Sequence, residues 1–384
     1  MNVVTTSARR RGFALGGDQA APAVRSQETL ATAGAHGGNV FRAAREWGCD
    51  WNQILDFSAS INPLGVSDAV HQALASSIGR VAHYPEAGSP ALHEAVSLAW
   101  GLEPGQVMAG NGATELLYFL VRVLRPRKAH LVLPTFSEYP KALSGSEISF
   151  TLCDAGVYAI NWERLAADVN RARPDWLVLT HPNNPTGSAF DPERFLQWFD
   201  EERPSETIVV LDESFVDFAP RLSITNAAEQ RRNLLVLRSL TKFYALPGLR
   251  LGCLAAHPET IAAFESVREP WQVNVLAEQA ALAALSDDGY RRETLELVNT
   301  EREWLLRALG ELPGVRPLPS AANFLFAHCE GPVSEMQSHL RHDRILIRDC
   351  TGMAGIRGHA FRVAVRTHAE NEALVTALAQ FFER

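Results

Sequence analysis

Lys242 sits in the run Ser239-Leu240-Thr241-Lys242-Phe243-Tyr244-Ala245-Leu246-Pro247-Gly248-Leu249-Arg250. It follows an apolar stretch, 234–237, that reads as a buried strand. A lysine among small hydroxyl residues, with an arginine eight positions on, suits an amine that loses its proton and condenses with a carbonyl. The hydroxyls and the cation would then hold a phosphate. Alone, the lysine reads equally as a solvated loop residue. Its weight depends on what other groups the chain supplies.

Four further clusters supply such groups. Gly110-Asn111-Gly112-Ala113-Thr114-Glu115 follows a predicted strand and opens a predicted helix. Small residues there let backbone N–H groups approach an anion, and the helix dipole favours it. By itself the motif is also an ordinary tight turn. Asp212 ends the run Ile208-Val209-Val210-Leu211, where a carboxylate is costly unless it meets a cation such as a protonated pyridine nitrogen. A helix cap or an ion pair is the rival reading. His181-Pro182-Asn183-Asn184-Pro185-Thr186-Gly187 ends another strand, and Asn184 offers an amide donor to a ring oxygen. Phe136, after the strand predicted at 130–133, could stack on a flat ring or pack in the core. An amine, a carboxylate, an anion cup and an aromatic lid are the groups that pyridoxal 5'-phosphate requires.

The elements that must position them alternate. Predicted strands lie at 106–109, 130–133, 149–153, 176–180, 207–211, 234–238 and 250–255, with helices at 113–124, 161–171 and 191–201 between them. That order implies α/β architecture, a mostly parallel sheet sandwiched by helices. Ligands bind such sheets beyond the carboxyl ends of the strands, where the clusters fall. A long helical region is predicted over 258–312. Short strands at 315–317, 323–327, 345–348 and 361–365 and a helix at 369–382 follow, as a smaller α+β domain. The expected division is a mobile arm (1–33), a segment packing with the small domain (34–80), a large cofactor-binding domain (81–290) and a small C-terminal domain (291–384).

With 384 residues, 46% hydrophobic and 21% charged, a globular chain of two domains is expected. A net charge of −8 and a pI of about 5.9 argue against nucleic acid or an anionic membrane as partner. Anionic substrates must then be met by local arginines. Cys49, Cys153, Cys253, Cys329 and Cys350 are scattered without a paired spacing, which fits a reducing cytoplasm and no structural metal. The apolar stretch after Arg9-Arg10-Arg11 is too short for a signal peptide, and no run is long enough to span a bilayer.

In order, GNGATE, HPNNPTG, VLDESF, SLTKFYALPGLRLG and the C-terminal FRVAVR resemble the aspartate aminotransferase fold family, the fold type I pyridoxal phosphate enzymes. The resemblance covers essentially the chain after residue 35. It implies Lys242 as the Schiff-base lysine, Asp212 on the pyridine nitrogen, Asn184 on the ring 3-oxygen and Phe136 stacked on the ring. Gly112, Ala113, Thr114, Ser239, Thr241 and Arg250 would hold the phosphate, and Tyr84 would reach it from the second subunit of a homodimer. Arg362 would grip a substrate carboxylate.

Two subfamilies come closest, threonine-phosphate decarboxylases of cobalamin biosynthesis and histidinol-phosphate aminotransferases. His36-Gly37-Gly38-Asn39 and Asp56-Phe57-Ser58-Ala59-Ser60-Ile61-Asn62-Pro63-Leu64-Gly65 resemble decarboxylase segments, with Ser60 where Asn is frequent. Phe215 stands where many transaminases of the group place a tyrosine against the ring 3-oxygen. The resemblance therefore implies decarboxylation of L-threonine O-3-phosphate to (R)-1-aminopropan-2-ol O-phosphate. Transamination of histidinol phosphate with 2-oxoglutarate is the alternative. His36, Gly37, Asn62, Asn184, Arg348 and Arg362 would bind the substrate. The bond broken at Cα is the one held perpendicular to the ring, so the grip on the substrate selects the reaction. A pyridoxal-bound regulator carrying a DNA-binding module is disfavoured by the acidic charge and the short stretch before residue 36.

Overall fold

The computed structural model describes residues 37–383; His36 and the expected arm at 1–33 lie outside the described residues. Near-continuous apolar runs form the central strands, as expected where both faces are covered. These are β2 (Val107–Gly110), β3 (Lys128–Leu133), β4 (Glu147–Leu152), β5 (Trp176–Thr180), β6 (Ile208–Asp212), β7 (Leu234–Ser239) and β8 (Gly252–Ala255). They make one seven-stranded sheet in the order β2-β8-β7-β6-β5-β3-β4. Only β8 runs against its neighbours. β5, β6 and β7 are in parallel register, pairing Thr180 with Asp212 and Asp212 with Leu237. Their carboxyl ends therefore form one row.

Helices on the two faces follow their capping chemistry. The helix Ala113–Leu124 starts at Gly112, carries Glu115 in its first turn and buries Leu116, Leu117, Phe119 and Leu120. The helix Trp162–Ala172 is capped by Asn161, whose side chain accepts from Arg164 N at 2.9 Å. The stretch predicted as helix at 191–201 is α-helical over Pro192–Gln197 and then a single π-helical turn.

The long helical region at 258–312 is instead three helices, Pro258–Glu265, Val275–Leu285 and Asp288–Gly310. Pro270 cannot donate to a helix, and Asn274 and Asp287 each cap a new start, accepting from Ala277 N and Tyr290 N at 2.9 Å. Short strands β9 (Val315–Pro317), β10 (Phe324–Cys329), β12 (Arg348–Asp349) and β13 (His359–Ala364) form a four-stranded sheet. The single strand expected at 345–348 is split. β11 (Ile345–Leu346) pairs in parallel with β1 (Leu55–Asp56), which ties the early segment to the C-terminal part, while β12 pairs with β13. One buried apolar cluster runs from Phe57 and Leu92 through Phe243 to Phe324 and Leu378, so these parts share a core.

A second cluster centres on Phe195, fully buried among the rings of Trp162, Phe190 and Trp198. Phe195→Ala leaves a cavity that this aromatic cage cannot refill. It should cost about 3–5 kcal/mol in denaturant unfolding; a loss under 1 kcal/mol would contradict the packing.

Candidate active site

Beyond the carboxyl ends of β5, β6 and β7 lies a cavity of about 550 Å³ whose wall includes Thr180, Asp212, Ser239, Thr241, Lys242 and Arg250. The parallel register delivers these residues because the strands end at the same edge of the sheet. The opposite wall comes from Ser58 to Ile61 and from Arg348 and Arg362 in the small sheet.

Lys242 is half-buried on the cavity wall, and its Nζ donates to Ser239 Oγ at 3.0 Å. Loss of solvent pushes its ammonium down to about 8, with Arg250 and Arg362 adding to the shift and Asp212 opposing it. Ser239 and Thr241 hydroxyls stand 2.7 Å apart. Gly112 adopts φ +95°, and a Cβ there would come 2.6 Å from an Arg250 guanidinium nitrogen. Only glycine lets the cation lie against this turn. Arg250 itself holds a left-handed conformation, φ 56°, an uncommon state for a side chain with a Cβ. Hydroxyls, a helix N-terminus and a guanidinium thus make an anion cup.

Asp212 is buried, and its Oδ1 accepts from Ser214 N at 2.8 Å. Its Oδ2 accepts from the Tyr139 hydroxyl. Burial pushes Tyr139 well above the ordinary phenol range, with Asp212 adding to it, so Tyr139 stays the donor. The sequence reading passed over Tyr139; the signal was its place three residues after Phe136, on a short helix, Glu138–Ala142. The two rings pack edge to face, centroids 5.6 Å apart, and both line the cavity.

Asn184 Oδ1 accepts from Arg362 Nη1 at 2.5 Å. Because a guanidinium only donates, this contact fixes which way the amide points and leaves its NH2 as the free end. Phe215 is buried, lies 5.3 Å below Lys242 Nζ and packs edge to face on Phe324. Arg362 stacks on Phe324 at 4.7 Å. Arg348 and Arg362 are direct cross-strand partners of β12 and β13. Burial, with Arg348 adding to it, pushes the Arg362 guanidinium down to about 10. Like charges in such a pair are unfavourable without an anion nearby.

Gly37, Gly112, Ala113, Thr114, Phe136, Asn184, Phe215, Arg348 and Arg362 also line this cavity. Tyr84 and Asn62 do not. Tyr84 is 82% exposed and packs against Trp271. The Asn62 side chain is buried away from the cavity, its amide donating to Phe243 O at 2.8 Å and Thr294 Oγ1 at 2.7 Å. Its expected contact with substrate is thereby corrected, since its donors are spent on the chain. Ser60, two residues earlier, lines the cavity instead, and its Oγ is buried without a hydrogen-bond partner among the described residues. The described residues contain no group of three or more metal-ligating side chains.

An anion cup, a low-pKa amine, a held carboxylate and a flat aromatic wall fit pyridoxal phosphate, and the strained approach of Arg250 to Gly112 has a purpose only with an anion there. With the cofactor added, the wild-type protein should show an absorbance band near the visible edge that Lys242→Ala abolishes. Tyr139→Phe deletes one hydrogen bond to a charged group, worth about 1.5–3 kcal/mol. Cofactor affinity should fall at least about tenfold in an equilibrium titration, and an unchanged affinity would show that Tyr139 does not hold Asp212.

The profile of the family described as aminotransferase class I and II matches residues 52–378. The chain is 39% identical to the threonine-phosphate decarboxylase of Salmonella typhimurium over 353 residues, covering 90% of this chain and 95% of that protein. It is 31% identical to histidinol-phosphate aminotransferase 2 of Carboxydothermus hydrogenoformans, over 86% of this chain and 91% of that one. Among solved structures, the histidinol-phosphate aminotransferase of Sinorhizobium meliloti in complex with pyridoxal-5'-phosphate superposes with a TM-score of 0.80 at 25% identity, covering 94% of this chain and 98% of that one. The L-threonine-O-3-phosphate decarboxylase of Porphyromonas gingivalis gives 0.76 at 24%, covering 86% and 100%, a likeness of fold. By the profile match over residues 52–378 and the 39% identity to a relative over 90% of its length, the chain belongs to the aminotransferase class I and II family.

Proposed function

We propose that this protein is a pyridoxal phosphate-dependent decarboxylase that converts L-threonine O-3-phosphate to (R)-1-aminopropan-2-ol O-phosphate for cobalamin biosynthesis. The observation that carries this reading is the Arg348–Arg362 pair, cross-strand partners that both line the cavity. Threonine phosphate brings two anionic groups at once, a carboxylate and a phosphate. The 39% identity to a threonine-phosphate decarboxylase, against 31% to a histidinol-phosphate aminotransferase, supports the same choice.

Pyridoxal phosphate, when bound, supplies the electron sink for the pair left as the Cα–carboxylate bond breaks. Gly112, Ala113, Thr114, Ser239, Thr241 and Arg250 hold its phosphate, with Tyr84 of a second copy of the chain. Asp212, kept in place by Tyr139 and Ser214, holds a proton on the ring nitrogen. Phe136 would cover the ring, and Asn184 would meet its 3-oxygen without help from Phe215, which offers no hydroxyl. Arg348, Arg362, Gly37 and the unpartnered Ser60 hydroxyl grip substrate, so that the carboxylate stands across the ring plane. Carboxylate would leave as neutral CO2, and Lys242, in its ammonium form, would return a proton to Cα. We place the enzyme in the cytoplasm as a homodimer; among the described residues no helix is long and apolar enough to cross a membrane.

Release of CO2 from threonine phosphate, without glutamate formation from histidinol phosphate and 2-oxoglutarate, is the expected result. The reverse pattern would sink the assignment. Only the neutral form of Lys242 can attack an aldehyde, and its ammonium is pushed down to about 8. Capture of the cofactor by cofactor-free protein should therefore speed up as pH rises from 7 and level off above about 9, followed by stopped-flow absorbance. A rate still climbing steeply at pH 10 would mean that Lys242 titrates as an ordinary lysine.

A further inference from the structure

Ser58 touches both sides of the cavity mouth, although it belongs to neither cofactor cup nor arginine pair. It is almost fully buried. Its Oγ accepts from Gly38 N at 2.8 Å and donates to Asp56 Oδ1 at 2.6 Å. Asp56 Oδ1 also accepts from Ser58 N at 2.8 Å and Ala59 N at 3.3 Å, closing a tight turn. The Ser58 carbonyl meanwhile accepts from Arg362 Nη2 at 3.2 Å. Gly37 lies so close on that carbonyl that a Cβ would come within 2.2 Å of its oxygen.

The turn is anchored from behind. Phe57 N donates to Leu346 O and Phe57 O accepts from Ala364 N, both at 2.8 Å. Arg366 Nη1 donates to Asp56 O at 3.2 Å. Ser58 is thus fixed to β11 and β13, and it presents one oxygen to the N-terminal glycines and another to the arginine.

We infer that Asp56 and Ser58 are positioning residues, a seat that sets the Gly37–Gly38 segment and the Arg362 guanidinium at one fixed separation across the substrate. The inference rests on the proposed decarboxylase reading for the identity of that substrate. Among the described residues Arg362 makes two side-chain hydrogen bonds. Nη1 goes to Asn184, Nη2 goes to Ser58, and the buried Nε has no partner. Removing the Ser58–Asp56 side-chain contacts loosens the turn whose carbonyl takes Arg362 Nη2. It also releases the glycines from the cavity rim, while Lys242 and the anion cup are untouched. The effect should fall on substrate binding and spare the chemical step. The seat acts through an oxygen at Oδ1, which asparagine can also present, so its geometry and not its charge is what matters.

The test uses cofactor-loaded enzyme and the variants Ser58→Ala, Asp56→Ala and Asp56→Asn. Loss of one such hydrogen bond corresponds to about a tenfold change. Ser58→Ala and Asp56→Ala should each raise KM for threonine phosphate by about tenfold, with kcat within about threefold and the cofactor absorbance unchanged. Asp56→Asn should restore KM to near the wild-type value. Amide exchange in the peptide that holds Gly38 should quicken in the two alanine variants and not in Asp56→Asn. A fall in kcat at constant KM, an Asp56→Asn as impaired as Asp56→Ala, or lowered thermal stability with no change in KM would overturn the inference. Wild-type protein that releases no CO2 from threonine phosphate refutes the functional reading instead, and Gly38 exchange then decides the seat alone.

Discussion

An amine that must stay partly uncharged at neutral pH is the constraint that the rest of the structure serves. Lys242 reaches that state because it stands out of solvent with two guanidiniums nearby, while Asp212 pulls the other way. Neither influence could act without a sheet that ends its strands together. Thr180 and Asp212 come to the same level, with Ser239 two residues beyond it, because β5, β6 and β7 are parallel and in register. A single slip of register would turn Asp212 to the far face and leave the amine without its counter-charge.

The cations form a second layer of the same problem. Arg250 lies on Gly112 at one end of the cavity, and Arg348 and Arg362 stand paired at the other. Such concentrations of positive charge suit anionic ligands. Aromatic faces and polar clamps hold the cations in place. Phe324 lies under Arg362, and Asn184 and Ser58 take its nitrogens. Decarboxylation gains from this moderation, since a carboxylate gripped too tightly would resist leaving as neutral CO2.

Phe215 shows how one atom's absence has consequences. Its ring packs against Phe324 and faces Lys242, so the wall between the amine and Arg362 is apolar. A hydroxyl there would bring a donor to the ring oxygen and a polar group into that wall. Asn184, locked by Arg362, remains the donor on that side.

Much of this was legible in the residues. Apolar runs bounded by glycine, proline and asparagine marked the strands, and the helix at 113–124 was read to its ends, because burial on both faces and a glycine start leave few alternatives. The lysine, the aspartate and the glycine turn could be named because each sits where a strand stops. Asn62 and Ser60 show the limit. Both are polar and two positions apart, and only the packing of 59–62 against the Lys242 and Phe243 carbonyls turns the asparagine inward and the serine toward the cavity. Tyr139 and Ser58 were invisible for the same reason, since their partners lie 73 and 304 residues away in Asp212 and Arg362. Local chemistry is written in neighbours along the chain and so can be read from it. Which side chain faces the ligand is settled by contacts between distant segments, and those exist only once the chain has folded.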